Sequence, residues 1–191
     1  MGHFRKTYDV SIRLMKRRGL RLAAVMALFV LLAVSLVGAA VPEYDLKAAF
    51  VYNFAKFVEW PPQALSPASD TLILGVLVQD PESPAFEALQ GKKVQGRTLV
   101  VKRCRLSELK EVHLVFISAG VSRYLGPALE EIRGLPILTI TDEVEGSGPH
   151  GIINLVTTGG KVRFQVDAVQ ARRLGFRISS QLLRLALSVT E

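Results

Sequence analysis

Residues 22–41 form a run of twenty without a single charge, and that run separates what leads the chain from what folds. Seven bases precede it, Arg5, Lys6, Arg13, Lys16, Arg17, Arg18 and Arg21, against one acid, Asp9. The run closes on the small residues Gly38, Ala39 and Ala40 before polar sequence resumes at Glu43. A basic head, an apolar middle and a small-residue exit make the layout of a secretory signal peptide. This reading assigns a signal peptide to residues 1–40, with Met15 as an alternative start that gives a more compact leader, and a folded domain to residues 41–191. At roughly 1.5 Å per residue the same run spans about 30 Å as a helix. An uncleaved anchor in the inner membrane is therefore the alternative. The pair Arg17-Arg18 is too weak a signal to indicate twin-arginine export.

Charge follows the same division. The whole chain carries 24 bases and 17 acids, and removing the seven bases and one acid of the leader leaves 17 and 16. The domain is close to neutral, so the basic balance of the whole chain is no argument for nucleic-acid binding, which needs a basic patch on the folded part. About 150 residues suffice for one domain with a substantial core. The lone cysteine, Cys104, excludes an intrachain disulfide, and a free thiol is most simply buried.

The apolar pattern alternates between helical and extended periods. Residues 43–60 read as a helix, with Leu46, Phe50, Phe54, Phe57 and Val58 on one face and Pro61-Pro62 ending it. Residues 72–78, 98–102, 114–117 and 136–140 read as strands, separated by short helical stretches at 84–89, 107–110 and 122–132. Residues 152–156 and 162–166 flank Thr157-Thr158-Gly159-Gly160 as an antiparallel hairpin. Asp167 is placed to cap a short helix through Arg173, and Ser179 or Ser180 to cap a last helix carrying Leu182, Leu185 and Val189. Alternating strands and helices predict an α/β fold: a single domain with a largely parallel central sheet flanked by helices, closed by a C-terminal β-hairpin and helix.

Motifs for chemistry are sparse. His113 and His150 have no partner at metal-ligand spacing, so no metal site is expected. Gly160-Lys161 lacks the earlier glycine and the following hydroxyl of a phosphate loop, with Leu155 and Val162 in those places. No cofactor is implied. Asp80, Ser118 and Asp142 close predicted strands, and open α/β sheets place ligands at that edge. They form a candidate pocket for a small molecule. A spatial set of Ser118, His150 and Asp142 is the least supported reading, an envelope hydrolase.

Three segments carry a resemblance. They are YDLKAAFVYNFAKFVEWP at 44–61, IINLV and GKVRF at 152–156 and 160–164, and GFRISSQLLRLA at 175–186. With them the chain resembles the YfiR family of bacterial periplasmic proteins across residues 43–187. The resemblance implies a periplasmic, non-enzymatic regulator. The family is typified by repressors that bind the periplasmic part of a membrane-bound diguanylate cyclase and keep cyclic di-GMP, and with it biofilm formation, low. Some relatives carry paired cysteines that tune activity to envelope redox state. Cys104 alone cannot form such a pair within the chain.

The expected function is a periplasmic regulatory binding protein acting on an inner-membrane signalling protein, with a small-molecule sensor or carrier as the alternative. A homodimer is a further assembly considered; nucleic acid is not a partner. Aromatic and arginine residues are the usual interface anchors. Phe57 and Trp60 at the end of the first helix, and Asn154 and Arg163 in the hairpin, are the candidate partner contacts.

Overall fold

The computed structural model describes residues 42–79, 84–143 and 148–191. Residues 1–40, expected as a signal peptide, and Asp80 lie outside them. From Pro42 onward the chain opens with α1 (Glu43–Phe57). Its start is favoured by Glu43 and Asp45 in the first turn and its end by Lys56 in the last, each charge opposing the helix dipole. Gln95 closes the helix from across the fold. Its Nε2 donates to the carbonyls of Ala55, Lys56 and Val58 at 3.2, 3.1 and 2.8 Å, satisfying groups that a helix end leaves open.

The face α1 buries is rotated from the expected one. Lys47, Ala48, Val51, Phe54 and Ala55 are buried, while Leu46 is 38% exposed and Phe50 and Phe57 only flank the core. Two alanines bring the helix close to the sheet, and a lysine takes an interior place that apolar periodicity reserves for leucine. The helix also stops before residue 60, because Val58–Glu59 (β1) leaves it to pair antiparallel with Arg177–Ile178 (β9).

The main sheet is built from β2 (Thr71–Leu77), β3 (Lys93–Val94), β4 (Arg97–Arg103), β5 (Leu114–Ile117), β6 (Leu138–Asp142), β7 (Ile153–Thr158), β8 (Lys161–Asp167) and β10 (Ser188–Thr190). Its eight strands run in the order β10-β8-β7-β6-β5-β2-β4-β3. Five neighbouring pairs are parallel; β3–β4 and the hairpin β7–β8 are antiparallel. The expected mixed α/β architecture with a largely parallel sheet is what the chain forms.

Strand alternation divides the core in two. Leu72, Leu74 and Val76 of β2, with Leu114, Phe116, Leu138 and Ile140, face α1. There Phe54 meets Phe164 edge-on at 5.0 Å between ring centres. On the other face Leu77, Val115 and Ile117 pack against Leu109 of a 3₁₀ segment (Leu106–Glu111), Val112 just after it, and α2 (Leu125–Glu131). A second 3₁₀ segment (Ala119–Tyr124) leads directly into α2. The stretch expected as one helix at 122–132 thus begins earlier and changes pitch. Burying β5 on both faces is what its unbroken Leu-Val-Phe-Ile run encodes.

Both predicted caps form. Asp167 accepts from Gln170 N at 2.8 Å and starts α3 (Ala168–Arg173). Ser179 accepts from Leu182 N at 3.2 Å and starts α4 (Ser180–Leu185). The last helix is shorter than expected. Leu185 is 67% exposed rather than buried, and Val189 belongs to β10, drawn into parallel pairing with β8. Gly175 makes the turn between α3 and β9 at φ +84°, where a side chain would also meet Pro61 at 2.9 Å.

Candidate functional site

The register of the parallel strands fixes the most polar interior of the domain. Phe116 pairs with Ile140 and Ile117 with Thr141, so β5 and β6 end side by side. Ser118 and Asp142 lie two residues beyond Phe116 and Ile140, and alternation turns both toward the α1 face. Both are buried, at 1% and 3% exposure. Lys47 reaches this edge from the second turn of α1. Its Nζ lies 2.7 Å from Oδ1 of Asp142 and donates to Oδ2 at 2.9 Å. It also pairs with Glu43 one turn earlier and lies 3.8 Å from Glu143. Three carboxylates therefore surround one ammonium. Oδ2 of Asp142 additionally accepts from the amide of Ala119 at 3.5 Å.

Burial presses on both members of the pair. It disfavours the Lys47 ammonium, but hydrogen bonds and attraction from Asp142 and Glu43 together outweigh it and hold the lysine above its ordinary value. Burial likewise pushes the Asp142 carboxyl up, more than Lys47 and the Ala119 amide pull it down. Both values move up, which favours the charged form of the lysine, shared among several acids, and the neutral form of Asp142, where burial outweighs the pull of Lys47.

Ser118 and Asp142 line one cavity of about 330 Å³, together with Ile117, Leu125, Ser122 and Glu143. Asp80, the third residue of the expected pocket, lies outside the described residues. The third member of a hydrolytic set is elsewhere. His150 lines a separate cleft of about 840 Å³ between α2 and α3, with Asp167, Gln170 and Arg173. The Ser118 hydroxyl has no hydrogen-bond partner among the described residues. His113 ties strands instead: its Nδ1 accepts from Ile73 N at 2.9 Å, and burial, then Arg97, keeps the imidazole below its usual value. Cys104 is half-buried and points its Sγ to Lys102 O at 3.5 Å. Burial pushes the thiol up.

The four candidate partner contacts fall in three places. Phe57 and Trp60 stand together where α1 gives way to β1, both half-buried. The Trp60 ring meets Phe176 edge-on at 5.6 Å, and its indole N–H donates to Ala55 O at 3.4 Å. Beside them the β1–β9 ribbon carries an exposed pair, Arg177 and Glu59, at 3.3 Å. Arg163 is exposed on β8, opposite Val156, and alternates away from Phe164, which faces α1. Asn154 is interior. At 2% exposure it accepts from Thr141 Oγ1 at 3.0 Å and donates to Gln165 Oε1 at 3.2 Å, so it crosslinks β6, β7 and β8 rather than offering itself to a partner. Sequence reasoning missed Lys47 and Glu143. The one available signal was that an acid, Glu143, directly follows Asp142.

Comparison with known proteins bears on the whole domain. The model of the YfiR/HmsC-like family matches residues 44–187. The chain belongs to this family. The match runs from the first turn of α1 to the residue before β10, so it takes in Lys47, Ser118, Asp142 and Glu143 and the Trp60 ribbon alike. Among curated proteins none matches. Among solved structures, a conserved domain protein from Vibrio cholerae is similar at 10% identity and a TM-score of 0.49, over 78% of this chain and 60% of that one.

Proposed function

We propose that this YfiR/HmsC-like protein is an exported regulator. It binds the periplasmic part of an inner-membrane signalling protein such as a diguanylate cyclase and holds it in its inactive state. The observation that carries the reading is the family match over residues 44–187. The leader at residues 1–40 supports export, and no helix among the described residues is long and apolar enough to cross a membrane. A binding protein represses by preferring one conformation of its target, and the shift it causes is limited by that preference. Such repression needs no turnover.

The docking face we assign is the end of α1 with the β1–β9 ribbon. Trp60 and Phe57 supply half-buried aromatic surface, and Glu59 and Arg177 supply a charged rim, an arrangement common at interface centres. Arg163 lies on the opposite face of the sheet and serves as the control position. The test immobilises the purified protein and titrates the periplasmic segment of a membrane diguanylate cyclase from the same cell. Trp60→Ala is expected to weaken binding by about 2 kcal/mol, roughly thirtyfold, with Arg163→Glu close to wild type. Full binding by a folded Trp60→Ala variant would remove the docking face. Cyclic di-GMP levels that stay constant when the gene is deleted would remove the regulatory reading itself.

A further inference from the structure

Two side-chain atoms among the described residues are buried without a hydrogen-bond partner, Ser118 Oγ and Asp142 Oδ1. They belong to residues lining the same cavity. Folded proteins satisfy nearly all such atoms, and each exception calls for a physical reason. Asp142 Oδ1 has the ammonium of Lys47 at 2.7 Å, which supplies attraction but no well-directed bond. Ser118 Oγ has neither. A buried hydroxyl left unpaired costs stability, yet Ser118 is 1% exposed and stands at the wall of a cavity of about 330 Å³.

The rest of the wall says what would satisfy it. Asp142 and Glu143 bring two carboxylates, Ser118 and Ser122 two hydroxyls, and Ile117 and Leu125 an apolar side. None of the lining residues is basic. Lys47 stands behind Asp142 and is committed to Glu43, Asp142 and Glu143. One positive charge against three negative ones leaves the cluster with a net negative charge. An anion entering this cavity would face both carboxylates with no cation in the wall. A zwitterionic amino acid would bring its own carboxylate into the same repulsion. A metal ion lacks ligands, since no group of three or more His, Cys, Asp or Glu among the described residues could hold one. A protonated primary amine fits each term. It brings three donors for Ser118 Oγ, Asp142 Oδ1 and the Glu143 carboxylate, a positive charge for the excess negative one, and a short apolar body for Ile117 and Leu125. The volume suits a ligand of one small ring, at the lower end of ligand pockets.

We propose that the carboxyl-edge cavity is a binding site for a small primary amine with an apolar body, held by Ser118, Asp142 and Glu143. This goes beyond the regulatory reading and stands whether or not a cyclase is the partner. Benzylamine is the probe and benzyl alcohol its uncharged counterpart. Titrated into isotopically labelled protein, benzylamine is expected to bind in roughly the millimolar range and to move the amide signals of Ser118, Ala119 and Glu143. Benzyl alcohol is expected to bind at least tenfold more weakly.

Glu143→Gln removes a charge without emptying the wall and is expected to weaken benzylamine about tenfold. Ser118→Ala gives the signature a structural serine would not. It relieves an unpaired buried hydroxyl, so it is expected to raise the melting temperature slightly while weakening benzylamine severalfold. Equal binding of alcohol and amine overturns the proposal, as does an absence of shifts at Ser118 and Glu143. A Ser118→Ala variant that is less stable than wild type overturns it too, because the hydroxyl would then have an internal partner. Loss of cyclase binding alone bears on the previous reading and leaves this one standing.

Discussion

The substitution Lys47→Met measures what the buried charge cluster contributes to the fold. Methionine keeps most of the length and apolar body of lysine while removing the ammonium. The side chains of Lys47 and Asp142 are 3% and 1% exposed, so solvent cannot replace the lost partner. Breaking a buried pair in this way costs about 3–5 kcal/mol. For a domain of this size each kcal/mol moves the melting temperature by about 2–4 °C, giving a fall of roughly 6–20 °C. The cost has a definite pH dependence. Burial already holds the Asp142 carboxyl above its ordinary 3.8, and removing Lys47 takes away its hydrogen bond and attraction while Glu143 and Glu43 remain nearby. The carboxyl rises further. A folded-state value above the unfolded one gives stability that is complete below the unfolded value and is lost as pH rises through the folded value. The variant is therefore closest to wild type in acid and falls behind as pH climbs toward neutrality. The wild-type lysine, held above 10.5, has the corresponding limb in alkali: its contribution is complete below that value and is lost as pH rises through the raised one, a limb the methionine variant lacks. Urea unfolding across this pH range, with the double variant Lys47→Met/Asp142→Leu alongside, is the assay. Replacing both charges by apolar groups is expected to restore most of the loss. A cost below about 1 kcal/mol, the range of a surface pair, would refute the reasoning. So would a cost independent of pH, or a double variant no better than the single one.

Two further outcomes test the packing. Gly151→Ala puts a methyl carbon 2.7 Å from the backbone oxygen of Thr139, inside the β6–β7 contact, and is expected to cost about 1–3 kcal/mol; an unchanged urea midpoint would show that the strands yield. Cys104 is expected to react with iodoacetamide more slowly in the folded protein than in denaturant, with a rate still climbing above pH 9.0 because burial raises the thiol beyond that value; equal rates in the two states contradict the half-buried placement.

What the sequence made legible is what local chemistry decides. Leu114–Ile117 was bounded by its own composition, four apolar residues between a histidine and a serine, and forms the strand expected. Asp167 and Ser179 announced their helices because a cap acts on amides only three residues away. The hairpin was fixed by two glycines at its turn, both at positive φ. Elements that exist only by pairing stayed hidden. Val58–Glu59 and Arg177–Ile178 are two-residue strands that neither segment would form alone. Ser188–Thr190 reads as the end of a helix until β8 offers it an edge. The strand placed at 136–140 lies at Leu138–Asp142 because its bounds are set by where Leu114 and Ile153 stand beside it.

The same division runs through the candidate site. Ser118 and Asp142 were identifiable as a pair because parallel strands bring their carboxyl ends to one edge, a rule of topology that needs only the order of strands and helices. Lys47 was not, because its partner is 95 residues away in the chain and nothing in the helix announces that a lysine will turn inward. An apolar stripe through Leu46 and Phe50 satisfies the helical period equally well. The buried carboxylate decides between the two faces: once β6 ends in Asp142, the helix that covers the edge must present a cation to it or leave a charge unpaired, at a cost of several kcal/mol. Turning Lys47 inward carries Leu46 outward to 38% exposure, and the smaller penalty of an exposed leucine is the one the fold accepts. Asp142→Leu alone removes the reason for the lysine's burial while keeping the lysine, so this single substitution reports on the origin of the helix orientation, and the double substitution reports on the stability that an unpaired partner costs.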